Sequence, residues 1–162
     1  MLTLERLKEL MHYDPETGLF HRLVKTSNNA NMDAPAGVLD SHGYLECSID
    51  GKRYRLHRLA VFYMTGVWPE NDVDHRNTIR TDNRFENLRD VTRVVNMQNK
   101  RRPSSNNKTG FVGVYLHKQL GRFTAQIRAN GKNTHLGMFD TPEQAHAAYL
   151  DAKRKLHEGN TL

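Results

Sequence analysis

Between Lys100 and Gly110 the chain reads KRRPSSNNKTG, a stretch without a single Val, Ile, Leu, Met, Phe, Tyr, Trp, Ala or Cys. Such a segment adds nothing to a hydrophobic core and breaks helical and strand periodicity alike. It divides the 162 residues into two parts that must each bury their own apolar side chains, and only 37% of residues are hydrophobic. Two small cores are therefore expected. The same division sorts the charge. Residues 1–100 carry 14 Lys and Arg against 14 Asp and Glu, and residues 101–162 carry 10 against 4, so the net charge of +6 falls entirely in the second part. A compact basic part beside a neutral one suggests a module that grips a polyanion.

Several classes are excluded early. The longest uninterrupted apolar run, LAVFYM from Leu59 to Met64, is far too short to span a bilayer. The start, MLTLERLKEL, carries charge where a signal peptide has its apolar centre. The one cysteine, Cys47, rules out an internal disulfide framework and a Cys-rich zinc cage. The expectation is a soluble, cytoplasmic protein with no membrane partner.

The local patterns fit an α+β class. Leu4, Leu7 and Met11 mark a short amphipathic helix, stopped by the turn cluster DPETG at 14–18. LFHRLV reads as a strand, and a polar loop follows from Thr26 to Gly37. YLECSIDGKRYRLH predicts a hairpin around Asp50-Gly51. Leu59, Phe62 and Tyr63 predict a short buried helix ended by Gly66 and Pro69. TRVVNMQNK predicts a helix with Thr92 as its N-cap. FVGVYLH, RFTAQIRA and NTHLGMFD read as three strands, and a last helix is expected from Pro142 to His157.

The densest polar segment is VDHRNTIRTDNRFENLR, residues 73–89. A strand ending in Asp74-His75, a polar loop and a helix bearing Asn96 would bring three groups together. Asp74 is a hard oxygen ligand and Asn96 offers an amide oxygen, a pair suited to Mg²⁺ or Mn²⁺. His75, next to Asp74 on an extended backbone, projects to the other side and is available as a general base. A hydrogen-bonded loop with no chemistry is the plain alternative; for Asn83 and Asn87 the structural part is the larger one, and for His57 a structural or phosphate contact is preferred over a ligand role.

VDHRNTIRTDNRFENLRDVTRVVNMQN resembles the His-Asn-His (HNH) homing-endonuclease family of phages and mobile introns, and YRLHRLA and TGVWP fit the family's lead-in. The resemblance implies His75 as general base, Asn87 as the central asparagine that pins the loop, Asp74 as the metal-binding aspartate and Asn96 as the third motif residue, catalytic and metal-binding. Arg93 is a further candidate for assistance. Many relatives have a glycine in the turn after Asp-His, whereas this chain has Arg76-Asn77-Thr78, and Asn77 is expected to supply the left-handed step.

Residues 109–159 resemble the Apetala/ethylene-response-factor DNA-binding domain. The resemblance rests on Gly113-Val114, Gly121-Arg122-Phe123 with Ala125 and Ile127, Leu136-Gly137 with Phe139, and a helix bearing Ala145, Ala148 and Tyr149. It implies a three-stranded antiparallel sheet lying in the major groove. By alternation, Phe123, Ala125 and Ile127 face the helix, while Arg122, Thr124, Gln126 and Arg128 face outward. Phe139, Tyr149 and Leu156 are expected in the core. Tyr115 and His117 lie on the first strand, and His135 stands where the plant domains commonly have Trp. Arg101, Arg102, Lys118 and Lys132 are expected as phosphate contacts.

Together these give an N-terminal HNH (ββα-metal) nuclease domain at 1–100, a linker at 101–109 and a DNA-binding domain at 110–162. The expected function is a metal-dependent, site-preferring endonuclease that nicks double-stranded DNA as a monomer, in an infected bacterial cell by resemblance. A dimer would cut both strands. The rivals are a catalytically silent DNA-binding regulator and a structure-specific or RNA nuclease.

Overall fold

A computed structural model describes residues 1–25 and 31–161. Part of the expected polar loop, residues 26–30, lies outside the described residues. The described chain forms two compact units, 1–93 and 94–162.

The first unit opens with helix α1 (Leu4–Leu10), whose Thr3 cap accepts a hydrogen bond from the Arg6 amide at 3.2 Å. Met11, expected on the helix, instead starts strand β1 (Met11–Tyr13), which pairs antiparallel with β2 (Phe20–Arg22). The strand form buries both Met11 and Tyr13 while His12 stays exposed. Strands β3 (Val38–Leu39), β4 (Leu45–Ile49) and β5 (Lys52–Arg55) make a three-stranded antiparallel sheet. Its β4–β5 hairpin turns at Asp50 (φ 47°) and Gly51 (φ 76°), the left-handed pair a primed turn requires.

Helix α2 (Leu56–Thr65) follows at once and ends on left-handed Gly66. Its inner face joins α1, β1 and β2 in a core in which Leu7, Phe20, Leu59 and Ala60 are fully enclosed. Strands β6 (Asp72–His75) and β7 (Leu88–Val91) form a separate two-stranded ribbon. Helix α3 (Arg93–Gln98) begins two residues later.

In the second unit β8 (Val114–His117), β9 (Arg122–Ala129) and β10 (Lys132–Phe139) form an antiparallel sheet with β9 central. Helix α4 (Pro142–Leu156), capped by Thr141, packs on one face of it. The first strand is shorter than FVGVYLH suggests. Gly113 adopts φ 77° and lies so close to Tyr149 that a Cβ there would sit 2.1 Å from the ring, so the chain bends before Val114. Val114, Ala125, Ile127, Ala145 and Tyr149 are buried, and Phe139 packs against them. Leu156, expected in the core, is exposed: at the end of α4 it is His157, 2.9 Å from the Arg128 carbonyl, that meets β9.

The unit division falls within α3, ahead of the boundary at residue 100 expected from composition. Residues 101–109 are also more ordered than a bare linker. The Asn107 carboxamide oxygen accepts from Thr109 N and Gly110 N, both at 2.9 Å, and folds the segment into a turn before β8.

Candidate active site

The β6–β7 ribbon sets the first two groups. Asp74 stands directly across from Arg89, and His75 from Leu88. Arg89 donates twice to Asp74 Oδ2, from Nε at 2.9 Å and Nη2 at 2.7 Å. The pair is largely withdrawn from solvent, so it is a stronger tie than an exposed cross-strand contact. Adjacent strand residues point to opposite faces, yet both Asp74 and His75 are buried, so both faces of the ribbon are covered here.

His75 is 3% exposed, and its Nε2 lies 3.1 Å from Asn83 Oδ1. An amide oxygen only accepts, so Nε2 carries the proton and the imidazole lone pair sits on Nδ1. Burial pulls the His75 pKa below its ordinary value, against the opposing pull of the Asn83 bond and of the Asp74 and Asp82 charges. Burial therefore favours the uncharged ring, whose lone pair can accept a proton. His57, on α2, meets it edge-on with centroids 5.1 Å apart, and Tyr44 lies 5.9 Å away. Tyr44 in turn carries the Arg55 and Arg80 guanidinium groups at 4.6 and 4.9 Å. Burial pushes His57 down to about 3, and its Nδ1 has no partner among the described residues.

The loop between the strands is held by its own short polar side chains. Asn87 accepts from Asn77 N at 3.0 Å and donates from Nδ2 to Asp82 O at 2.7 Å, spanning both limbs. Asn77 donates from Nδ2 to Asp82 at 2.6 Å and accepts from Ile79 N at 2.9 Å. That second bond is an Asx-turn, which keeps Asn77 out of the left-handed region. The left-handed step expected at Asn77 falls on Thr78, at φ 64°, an unfavourable conformation for a β-branched residue.

Support also comes from the chain's first residues. Tyr13 Oη donates to Asn83 O at 2.6 Å, and Phe85 N donates to Pro15 O at 3.0 Å. Gly18, at φ 75°, lies against the backbone of Asn83 and Arg84, where a Cβ would be 2.4 Å from Arg84 N. DPETG thus buttresses the loop as well as turning the chain. Tyr44 and this buttress are candidate functional residues that the sequence did not single out, and Asn83 and Arg89, both inside the motif, received no chemical role from it.

Asn96 is half-buried on α3, in the second unit. Arg93 reaches Asp72 at 3.7 Å in an exposed ion pair. Among the described residues there is no group of three or more His, Cys, Asp or Glu that could hold a metal ion. The donor beside His75 on the first unit's ribbon is an oxygen, the Asp74 carboxylate, which suits a hard cation that keeps much of its water shell better than a caged soft one.

In the second unit, Tyr115, His117, Lys118, Gln126, Arg128 and Lys132 are exposed, as are Arg101 and Arg102. Thr124, expected outward and open, is buried between its register partners Tyr115 and Met138 on the flanking strands. Arg122 is exposed but engaged, with Nε 2.8 Å from Asp140. Arg101 bonds to Thr161, which ties it into its own unit.

A family model described as HNH endonuclease matches residues 54–98. The matched segment holds His57, Asp74, His75, Asn83, Asn87 and Asn96, and it supports a nuclease at the level of the family. It lies in the middle of the chain rather than at its N-terminus, so α1, β1 and β2 stand outside it. No curated protein and no solved structure matches the chain. No helix of the described residues is long and apolar enough to cross a membrane.

Proposed function

We propose that the chain is a metal-dependent, site-preferring DNA endonuclease of the homing type, which nicks duplex DNA by hydrolysing a phosphodiester bond. One observation carries this reading above the others. A neutral, buried His75, held as the Nε2–H tautomer by Asn83, stands beside Asp74 inside the segment that matches the nuclease family.

In the proposed reaction His75 Nδ1 takes a proton from water. The water oxygen bonds to phosphorus as the bond from phosphorus to the 3′-oxygen breaks, and a solvent proton completes the alcohol. A positioned base of this kind contributes ~10²–10⁴ in rate. Asn83 keeps the lone pair on the reacting nitrogen, and Asn87 keeps the loop that bears Asn83 in shape. Asp74 would hold a divalent ion, Mg²⁺ or Mn²⁺, with Arg89 fixing its carboxylate, and Asn96 stays the third motif residue by resemblance alone. When bound, the ion stabilises the charge that develops on the phosphate and the leaving oxygen.

The second unit positions the cut. Its outer sheet face presents Tyr115, His117, Gln126 and Arg128 to base edges in the Apetala/ethylene-response-factor manner, and Lys118, Lys132 and Arg102 to phosphates. A monomer with one such centre cuts one strand. By resemblance the setting is a phage-infected bacterial cell.

The test is cleavage of supercoiled plasmid carrying a mapped target, with Mg²⁺ and an EDTA control, wild type beside His75→Ala. Metal-dependent nicking by wild type, with a loss of ~10²-fold or more in His75→Ala and unchanged DNA affinity, is expected. Retained cleavage in His75→Ala would sink the mechanism. DNA binding with no cleavage by wild type would favour a silent regulator, and preferential cutting of RNA or branched DNA a different nuclease.

A further inference from the structure

We propose that Arg80 is a catalytic residue whose guanidinium, laid on the Tyr44 ring, grips the phosphate that water attacks beside His75. This rests on the nuclease reading above. It gives the clamp on the reacting phosphate to a loop residue that the motif leaves without a role.

Tyr44, just before β4, packs its ring 5.9 Å from that of His75. The same ring carries two arginines, Arg55 at 4.6 Å and Arg80 at 4.9 Å. Their surroundings differ. Arg55 meets the Asp40 carboxylate at 2.8 Å, so its charge is answered within the fold. Arg80 has no ion pair among the described residues, and its Nη1 donates to the carbonyl of His42. The acids close to it in the chain are engaged elsewhere. Asp82 accepts from Arg84 at 2.8 Å and from Asn77 at 2.6 Å. Asp40 also accepts from His42 N at 2.7 Å and Tyr44 N at 2.9 Å.

A guanidinium held this way is set for a phosphate. The aromatic face fixes its plane and the His42 carbonyl fixes one edge, while the residue is otherwise exposed. Arginine's planar fork matches two phosphate oxygens, and its weak hydration makes water easy to give up. The loop beneath is equally fixed. Thr78 N donates to His75 O at 2.9 Å, Ile79 N to Asn77 Oδ1 at 2.9 Å and Asp82 N to Ile79 O at 3.1 Å. The left-handed Thr78, a costly step for a β-branched residue, lies between His75 and Arg80. The Arg80 charge is also among those that act on the His75 ring.

A residue that only tied this loop to the β3–β4 connection would need a donor but no charge. A cation without a carboxylate, held near a general base, is a place for an anion. In the reaction above, negative charge builds on the non-bridging oxygens as the water oxygen bonds to phosphorus. Arg80 donates to those oxygens and keeps its own protons throughout.

The experiment uses the full chain as wild type, Arg80→Gln, Arg80→Lys and Arg53→Gln, the last removing another exposed arginine of the same unit. Single-turnover cleavage of saturating target duplex with Mg²⁺ gives the rate, and the melting temperature reports the fold. Affinity is read in EDTA for that duplex and for one with a neutral methylphosphonate at the mapped cleavage position. Arg80→Gln is expected to lose ~10²-fold in rate with an unchanged melting temperature. Arg80→Lys should lose less, and Arg53→Gln should cleave as wild type does. Arg80→Gln should bind the ordinary duplex several-fold more weakly than wild type, and that gap should vanish on the methylphosphonate duplex.

A wild-type rate in Arg80→Gln would overturn the inference and leave the nuclease reading intact. So would an affinity gap of equal size on both duplexes, since Arg80 would then meet a different phosphate. Equal rate losses in Arg80→Gln and Arg80→Lys, with a lowered melting temperature, would reduce Arg80 to a tie between loops and overturn it too. If wild type shows no metal-dependent cleavage, the nuclease reading fails first and the clamp falls with it.

Discussion

Asp74, His75, Asn83 and Asn87 expose between 1% and 8% of their surface, whereas Tyr115, His117, Gln126 and Arg128 stand open on the second unit's sheet. The two groups are both polar, and on the proposed reading they serve different tasks. The first group is enclosed and cross-bonded, so each side chain has one geometry before any substrate arrives, which is what differential stabilisation of a transition state requires. The second keeps its donors in water, where they can exchange hydration and counterions for phosphates and base edges. Damage should follow the same contrast. Disturbing the buried network ought to change rate without affinity, and disturbing the sheet ought to change affinity without rate.

The sharpest way to break that contrast is at Gly18, remote in sequence from the loop it supports. Its left-handed backbone and its contact with Asn83 and Arg84 leave no room for a methyl group. Gly18→Ala should shift the loop that bears Asn83 and lower cleavage by ~10²-fold, with duplex affinity kept, as read by single-turnover kinetics and gel shift. Equal losses in rate and affinity would show that the two units do not divide the work.

His57 tests the cost of enclosure. Its pKa is about 3 in the folded chain against an ordinary 6.5, so between those values the unfolded chain binds the extra proton. Stability is then full above about pH 6.5 and falls as pH drops toward 3, by roughly 1 kcal/mol per pH unit from this residue. His75, also lowered by burial, acts in the same direction. Urea midpoints at pH 7, 6 and 5 should decline for wild type and decline less for His57→Phe. Parallel slopes would mean that His57 is hydrated in the folded protein.

How much of this was legible beforehand differs between the same two regions. Secondary structure was readable wherever one residue type has one physical use. Asp50-Gly51 marked a hairpin, Gly66 a helix end, and the alternation of RFTAQIRA a half-buried strand. The motif residues Asp74, His75 and Asn87 could be named from the resemblance to the HNH family, whose model matches the segment that holds them. The contacts that tune them could not. Asn83 meets the His75 ring with its side-chain oxygen, while Tyr13, 70 residues away, and Gly18 hold the Asn83 backbone, a long-range arrangement that no local pattern encodes. Nothing in the sequence marks Lys153 as buried, since lysine is rarely enclosed. Thr124 obeyed the alternation, but its flanking strands covered it.

Asn83→Asp sharpens the account of the base. A carboxylate at that position still accepts from His75 Nε2 and so preserves the tautomer, but its charge favours the imidazolium. The acid limb of the cleavage profile should move to higher pH by about one unit, with the plateau rate reduced less than in Asn83→Leu. An unmoved acid limb would remove His75 as the titrating base.

The smallest effect is expected on the open sheet, and it separates two arginines that the sequence treats alike. Arg122 and Arg128 lie on the same strand and are both exposed, but Arg122 is held by Asp140 at 2.8 Å. Its charge is already partly answered, so a nucleic-acid partner gains less from it than from Arg128. In this exposed position the ion pair itself adds little stability, so Arg122→Ala should leave the fold intact. Arg128→Ala should weaken duplex binding several-fold and reduce the slope of log affinity against log salt by ~1 if it meets a phosphate, or relax specificity at one base if it meets an edge. Arg122→Ala should do less of either. In both variants the single-turnover cleavage rate at saturating duplex should equal that of wild type. A rate loss in Arg128→Ala under those conditions would place the sheet inside the chemistry and end the division between an enclosed cutter and an open reader.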